Sequence, residues 1–238
     1  MTVSFEEFPH HIFYEKAQEF RGSHLLLTKE ELNLLVTLAH NSGNSQVKKI
    51  LELGSFIGRT SCFLSYLGFT VWSIERDQRY YQTCINFQTC LHLTDMTFLN
   101  MDALSFLERH NFDWLPFDLV FVDADKSRYL TYFRLLSAQL KLSKLKTLVF
   151  DNVFLNGQMR DRVIKYVANQ GGAIVFWGSQ VRSSSYSGVL NQKTGRVWSR
   201  QVEEGILQLL AEAYKQFSVT LYDTCDGFLV ITVPEDGT

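Results

Sequence analysis

Apolar residues fall along this chain in two alternating rhythms. Short runs that suit buried strands occur at residues 49–53 (KILEL), 70–75 (TVWSIE), 96–100, 117–123 (FDLVFVD) and 147–151 (TLVFD). Between them lie stretches with helical spacing, at 28–39, 61–67, 79–91, 103–109 and 127–140. The first of these opens on Thr28 with Glu31 three residues later, the signature of a capping box, and Leu32, Leu34, Leu35 and Leu38 form its apolar face. Strand and helix in strict alternation predict an α/β fold, a parallel sheet with helices on both faces. Farther on, residues 202–217 read as a helix. Residues 218–222 and 228–233 read as a closing antiparallel pair around the turn signal Asp226-Gly227. Between 156 and 200 the rhythm weakens. Residues 160–168 suit a helix, 173–177 a strand, and Ser183–Gly188 a loop; a connection this long suits a lid or binding loop.

The bulk properties narrow the class. The chain has 238 residues, 46% hydrophobic and 20% charged, with a formal net charge of -2. Such a chain fits one α/β domain and carries no global field toward nucleic acid or membrane. No apolar stretch reaches the length of a membrane span, and the N-terminus lacks the layout of a secretory signal. Cys62, Cys84, Cys90 and Cys225 lack paired zinc-site spacing and read as reduced thiols, so a cytoplasmic location is the expectation. One local basic group, Arg160, Arg162, Lys165 and Arg182, leaves contact with a nucleic-acid phosphate as an alternative.

Two constellations carry chemistry. The first is ELGSFIGRT, residues 52–60, at a strand-to-helix turn. Gly54 permits a tight turn and close approach, and Gly58 permits helix packing. Ser55-Phe56 stands where a pyrophosphate loop would have its second glycine, and Glu52 suits a cationic group such as an ammonium better than a phosphate. Glu75, at the end of the second strand, suits a pair of ribose hydroxyls, and Asp102-Ala103 after the third strand suits an adenine edge. Against this, Gly54 and Gly58 also suit ordinary turns.

The second constellation is DADKSRY (123–129) with Asp151-Asn152, each directly after a predicted strand. Asp123, Asp151 and Asn152 form a hard-oxygen set suited to Mg2+ or a similar divalent cation, which keeps open positions for substrate. Zinc would want imidazole or thiolate, and neither is near in sequence. A lysine beside a bound cation, such as Lys126, suits a general base. The plainer alternatives are that Asp125 caps the next helix and Asp151-Asn152 forms a turn.

At these residues the chain resembles the cation-dependent O-methyltransferases, the family of the caffeoyl-coenzyme A and catechol enzymes and their bacterial relatives. DADKSRY, DNVFLNG (151–157) and CDGFLV (225–230) carry the resemblance, with ELGSFIGRTS a moderate match. It implies a Rossmann-like class I methyltransferase fold, with a seven-stranded, mostly parallel sheet whose last strand is antiparallel. It implies one domain over 1–238, with an N-terminal helical segment at 1–47 and a divergent acceptor region at about 158–200. It implies S-adenosyl-L-methionine contacts by Glu52, Gly54, Ser55, Thr60, Glu75, Ala103, Asp123 and Asp125, and metal ligation by Asp123, Asp151 and Asn152. It also implies Lys126 as base, Asn156 at the substrate, and a small hydroxylated acceptor. Relatives acting on a hydroxylated nucleoside in tRNA make that the alternative acceptor, and relatives use the N-terminal segment for substrate contact or homodimer packing. A chain that binds the cofactor without activity is the third reading. The sequence departs from the family at Lys144-Leu145-Lys146, where a glycine pair is usual, and at 158–200, where no match is clear.

Overall fold

The computed structural model describes residues 5–42, 48–109, 117–141, 145–177 and 197–233. The Ser183–Gly188 loop, Arg182 and Lys144 lie outside them. The chain forms two compact units, residues 1–124 and 125–238.

The first unit holds α1 (His10–Glu19), α2 (Lys29–Asn41), β1 (Lys49–Leu53), α3 (Arg59–Tyr66), β2 (Thr70–Glu75), α4 (Gln78–Cys90), β3 (Met96–Asn100), α5 (Ala103–Arg109) and β4 (Leu119–Val122). Its strands lie in the order β3-β2-β1-β4, all parallel, with Ile50 opposite Val71 on one side and Leu119 on the other. Leu119, Val120, Phe121 and Val122 are all fully buried, as a parallel strand covered on both faces requires. Each such side chain contributes roughly 1.5–3 kcal/mol through burial. The order turns back at β1, so the carboxyl ends of β1 and β4 bracket the topological switch point, where open α/β sheets take ligands.

The predicted capping box is present. Thr28 Oγ accepts from the Glu31 amide at 3.2 Å, and Glu31 Oε2 accepts from the Thr28 amide at 2.9 Å. The helix α1 had no counterpart among the helices read from the pattern, because its buried stripe is only Phe13 and Ala17. The helix α3 begins at Arg59, two residues before its expected start, because Gly58 at φ +79° is its N-cap.

The second unit holds α6 (Tyr129–Lys141), β5 (Thr147–Phe150), α7 (Arg160–Asn169), β6 (Ala173–Phe176), α8 (Arg200–Tyr214), β7 (Ser218–Asp223) and β8 (Phe228–Thr232). Strand β8 runs antiparallel to both β5 and β7, which bears out the expectation for the last strand. The strands number eight among the described residues, not the expected seven. The extra one is β6, which lies parallel to β7 at the sheet's edge. Its four residues are only partly covered, so their pattern had marked a candidate strand and no more. The fold is α/β and mostly parallel, as expected.

A short 3-10 turn, Lys126–Arg128, precedes α6 and takes the first residues of the predicted helix. All four cysteines are free thiols, Cys62 and Cys84 buried, Cys90 and Cys225 exposed. Among the described residues no helix is long and apolar enough to cross a membrane.

In the second unit, the turn after β5 is wedged against the β7–β8 connection. A Cβ on Gly227 (φ +79°) would lie 2.7 Å from the Phe154 ring. Gly171 has a similar φ of +69° but open space around it. Gly227→Ala should therefore cost about 2–3 kcal/mol and Gly171→Ala only about 1 kcal/mol, read as urea midpoints. Equal losses would show that Phe154 yields without cost.

Candidate active site

The first site element is the loop from β1 to α3. Gly54 (φ +93°) sits so close to the end of β4 that a Cβ there would fall 2.6 Å from the Asp123 carbonyl oxygen. The Gly54 amide donates to Ile74 O at 2.9 Å, and the Asp123 amide donates to Leu53 O at 2.9 Å, so both strand ends are tied to neighbours. A Cβ on Gly58 would meet Phe98 at 2.9 Å and Cys84 at 3.0 Å. Both glycines thus meet a spatial demand beyond that of an ordinary turn.

Glu52 lies just beneath this loop and is 1% exposed. Its Oε2 accepts from Ser73 Oγ at 2.6 Å and from Ser61 Oγ, and Ser55 Oγ lies 2.5 Å from Ser73 Oγ. Burial pushes the Glu52 carboxyl up to about 7; nearby Asp123 and Glu75 add to the rise, and the two serine hydroxyls oppose it. Glu75 is also buried, and burial raises it too. Its two oxygens are divided: Oε2 accepts from the Phe56 amide and Oε1 from the Asp77 amide, each at 2.8 Å. An ionised carboxylate offers about four lone-pair positions. Each oxygen therefore keeps acceptor capacity, in a fixed side-by-side pair suited to two adjacent hydroxyls.

Thr60 is the second residue of α3 and half-buried. Ala103 is buried at the start of α5, whose first turn is capped by Asp102 Oδ1 accepting from Leu104 N at 3.0 Å and Ser105 N at 3.2 Å. Glu52, Gly54, Ser55, Glu75 and Asp123 are brought together at this one loop. Sequence reasoning had missed Ser61, Ser73 and the Phe56 amide. Ser73 carried a signal, as a polar residue inside an apolar strand, two positions from Glu75 on the same face.

In the second unit, Asp125 caps the 3-10 turn: its Oδ1 accepts from Ser127 N at 3.1 Å and Ser127 Oγ at 2.7 Å. This capping is the plainer of its two expected roles. Lys126 is half-buried, with Nζ 5.5 Å from the centre of the Tyr129 ring. Tyr129 is fully buried, and its hydroxyl donates to the Asp151 carbonyl at 2.8 Å. Asp151 is 5% exposed, and its Oδ1 accepts from the Asn152 amide at 2.6 Å. Asn152 (φ +56°) accepts the Asn156 amide on Oδ1 at 3.2 Å, and its Nδ2 donates to Asn156 Oδ1 at 3.3 Å. The backbone donor fixes which end of the Asn152 amide is oxygen. Asp151, Asn152 and Asn156 therefore form one bonded turn. Among the described residues no three His, Cys, Asp or Glu side chains are grouped to hold a metal.

Two of the three basic residues of α7, Arg160 and Arg162, are engaged within the unit. Arg160 makes a two-pronged contact with Asp223, with Nε at 3.2 Å from Oδ1 and Nη2 on Oδ2, and Arg162 pairs with Glu203 at 2.5 Å. Gln158 holds Trp198 through both backbone groups, with Nε2 to Trp198 O at 3.1 Å and Trp198 N to Oε1 at 3.0 Å.

A family model described as O-methyltransferase matches residues 12–170, well over half of the chain. The chain belongs to the O-methyltransferase family. This bears out the resemblance carried by DADKSRY and DNVFLNG, and the protein is an O-methyltransferase. Solved structures share the fold. The O-methyltransferase TomG from Streptomyces achromogenes, in complex with SAM, is 21% identical with a TM-score of 0.68, over 94% of this chain and 89% of that one. A putative caffeoyl-CoA O-methyltransferase from Staphylococcus aureus is 19% identical with a TM-score of 0.66, over 96% and 93%. An O-methyltransferase from Bacillus cereus, in complex with SAH, is 20% identical with a TM-score of 0.63, over 94% and 90%.

The buried Glu52 gives this O-methyltransferase a measurable pH signature. An ordinary glutamate titrates near 4.5, and Glu52 near 7 in the fold. Between those values the folded protein holds a proton the unfolded chain has released, so stability falls as pH rises through the window. Glu52→Gln removes that slope. Its stability relative to the unsubstituted protein should rise by up to about 3 kcal/mol from pH 4.5 to pH 7.5, measured by urea denaturation. Parallel pH profiles would refute the buried-proton account.

Proposed function

We propose that this O-methyltransferase takes a methyl group from S-adenosyl-L-methionine and, with a divalent cation such as Mg2+, places it on one of two adjacent hydroxyls of a small acceptor. The cofactor reading rests above all on the three carboxylates, Glu52, Glu75 and Asp123, gathered at the glycine loop. Such a loop repels a pyrophosphate and favours a ligand bearing a sulfonium and an ammonium. The paired oxygens of Glu75 suit the two ribose hydroxyls. Gly54, Ser55, Thr60, Ala103 and Asp125 complete the proposed contacts. The complexes of TomG with SAM and of the Bacillus cereus enzyme with SAH lend support by analogy of fold.

The metal reading rests on donor chemistry. Asp123, Asp151 and Asn152 offer only oxygen, and two of the three are already restrained: Tyr129 holds the Asp151 backbone and the Asn156 amide holds Asn152 Oδ1. A restrained hard-oxygen set with few protein ligands fits Mg2+. When bound, the cation supplies charge to lower the pKa of the acceptor hydroxyl and to hold its neighbour. In this reading Lys126 takes the hydroxyl proton on Nζ. Asn156 contacts the acceptor while holding Asn152, and Glu75 fixes the methyl donor so that the oxygen attacks in line.

Turnover of a catechol with labelled S-adenosyl-L-methionine and Mg2+ tests this directly. A chelator should abolish turnover and added Mg2+ restore it. Lys126→Met should lower kcat by about 10²–10⁴ with little change in S-adenosylhomocysteine affinity. Turnover that survives both the chelator and Asp151→Ala removes the metal from the mechanism, and unchanged kcat in Lys126→Met removes the base.

A further inference from the structure

The first unit buries an arginine that none of the proposed chemistry uses. Arg59 is the first residue of α3, directly after the glycine loop, and is 2% exposed. Among the described residues no carboxylate pairs with it. Its Nη1 donates to Leu27 O at 2.6 Å, and Nε and Nη2 both point at His10 Nδ1, at 3.3 and 3.2 Å. The guanidinium lies over the Tyr14 ring at 4.7 Å. Arginine only donates, so His10 must offer Nδ1 as an acceptor and carry its proton on Nε2. An uncompensated buried charge is costly, and here it binds the N-terminal segment at two points, on α1 and after it.

The same segment meets the glycine loop at a second place. A Cβ on Gly22 would fall 2.4 Å from Phe56 Cζ, so the Phe56 ring fills a notch only glycine leaves. Phe20 and Tyr80 pack edge-on around that ring, at 6.4 and 4.8 Å between centres. Phe56 itself has φ +51°, a strained value for a bulky residue, and in this conformation its amide donates to Glu75. The clasped segment thus helps hold the amide that orients the Glu75 carboxylate.

We propose that Arg59 is a positioning residue for the cofactor: it clasps residues 10–27 onto the glycine loop, keeps Phe56 aimed at Glu75, and does so only while His10 is neutral. The proposal rests on the S-adenosyl-L-methionine reading above. Protonating His10 on Nδ1 removes the acceptor and sets two cations in contact. Of the charged or titratable groups near His10, Tyr14 lies one turn on along the same helix and Glu6 lies in the turn Phe5–Glu7. Glu6 is exposed and already paired with Lys29 at 2.6 Å, so it offers weak compensation. Phe8 and Phe63 pack apolar rings against the half-buried imidazole, at 4.7 and 5.2 Å between centres.

Calorimetric titration with S-adenosylhomocysteine at pH 7.5 and 5.5 tests this. The unsubstituted protein should bind about tenfold more weakly at the lower pH. His10→Gln, which keeps a neutral acceptor, should narrow that pH ratio, and what remains is the titration of Glu52 near 7. Arg59→Gln should weaken binding about tenfold at pH 7.5 and speed hydrogen exchange of amides 10–27. Should Arg59→Gln not fold, Arg59→Lys, which keeps the charge but not the fork, should show the same weakening to a smaller degree. Binding by a folded Arg59 variant within twofold of the unsubstituted protein, or an unchanged pH ratio in His10→Gln, overturns the proposal alone. No binding by the unsubstituted protein at either pH overturns it together with the cofactor reading.

Discussion

The close approach of Gly54 to the Asp123 peptide sets the geometry of everything around it. A carbonyl oxygen 2.6 Å from where a Cβ would stand admits no other residue at 54 without moving the end of β4. With the ends of β1 and β4 held this close at the switch point, Glu52 is sealed beneath the loop, and Asp123 stands close enough to add to the upward shift of its carboxyl. Burial and like charge act in the same direction, and the hydroxyls of Ser61 and Ser73 offset only part of the cost. The unit thus gives up stability to gather three carboxyl groups, Glu52, Glu75 and Asp123, at one loop.

The glycine loop is held from three sides, and each hold is of a different kind. Below, the serine hydroxyls hold Glu52. Beside it, the carboxylate of Glu75 accepts the Phe56 and Asp77 amides and joins the loop to the end of β2. Above, the N-terminal segment reaches it through the Arg59 guanidinium and the Gly22 notch. Removing a neutral contact in such a network costs its own hydrogen bond, about 1 kcal/mol. Removing the acceptors of a buried guanidinium costs more, because the charge remains. The clasp is therefore the hold whose failure the loop tolerates least.

What the sequence made legible follows from how locally each feature is encoded. The capping box at Thr28 and Glu31, the parallel strands and the turn glycines are written in neighbouring residues and are found where expected. The DADKSRY and DNVFLNG segments gave the family because short motifs preserve a site's chemistry. Features that depend on distant partners were not legible. Arg59 reads in sequence as an ordinary first-turn residue, and its meaning comes from Leu27 and His10, 32 and 49 positions away. Arg160 and Arg162 read as free basic charge until Asp223 and Glu203, from later elements, are folded against them. The helix α1 falls in the helical segment that the resemblance implied but was not legible in the pattern itself, because two buried residues per ten give too narrow a stripe.

The turn after β5 shows the same economy by different means. Asn152, Leu155 and Asn156 all have positive φ, at 56°, 50° and 57°. Asparagine tolerates that region, but leucine does so at a cost of about 1–2 kcal/mol. The conformation persists because its surroundings over-determine it. Phe154 fills the notch at Gly227, the Val153 and Phe154 amides donate to Gly227 O and Asp226 O at 3.2 and 3.0 Å, and Arg160 anchors the following helix to Asp223. Backbone strain held this firmly concentrates where a fold must present particular atoms. In the proposed metal reading the atoms so presented are the Asp151 carboxylate and the Asn152 amide oxygen. The strain thus gives a reason, independent of the motif they belong to, to regard those two residues as functional rather than as the ends of an ordinary turn.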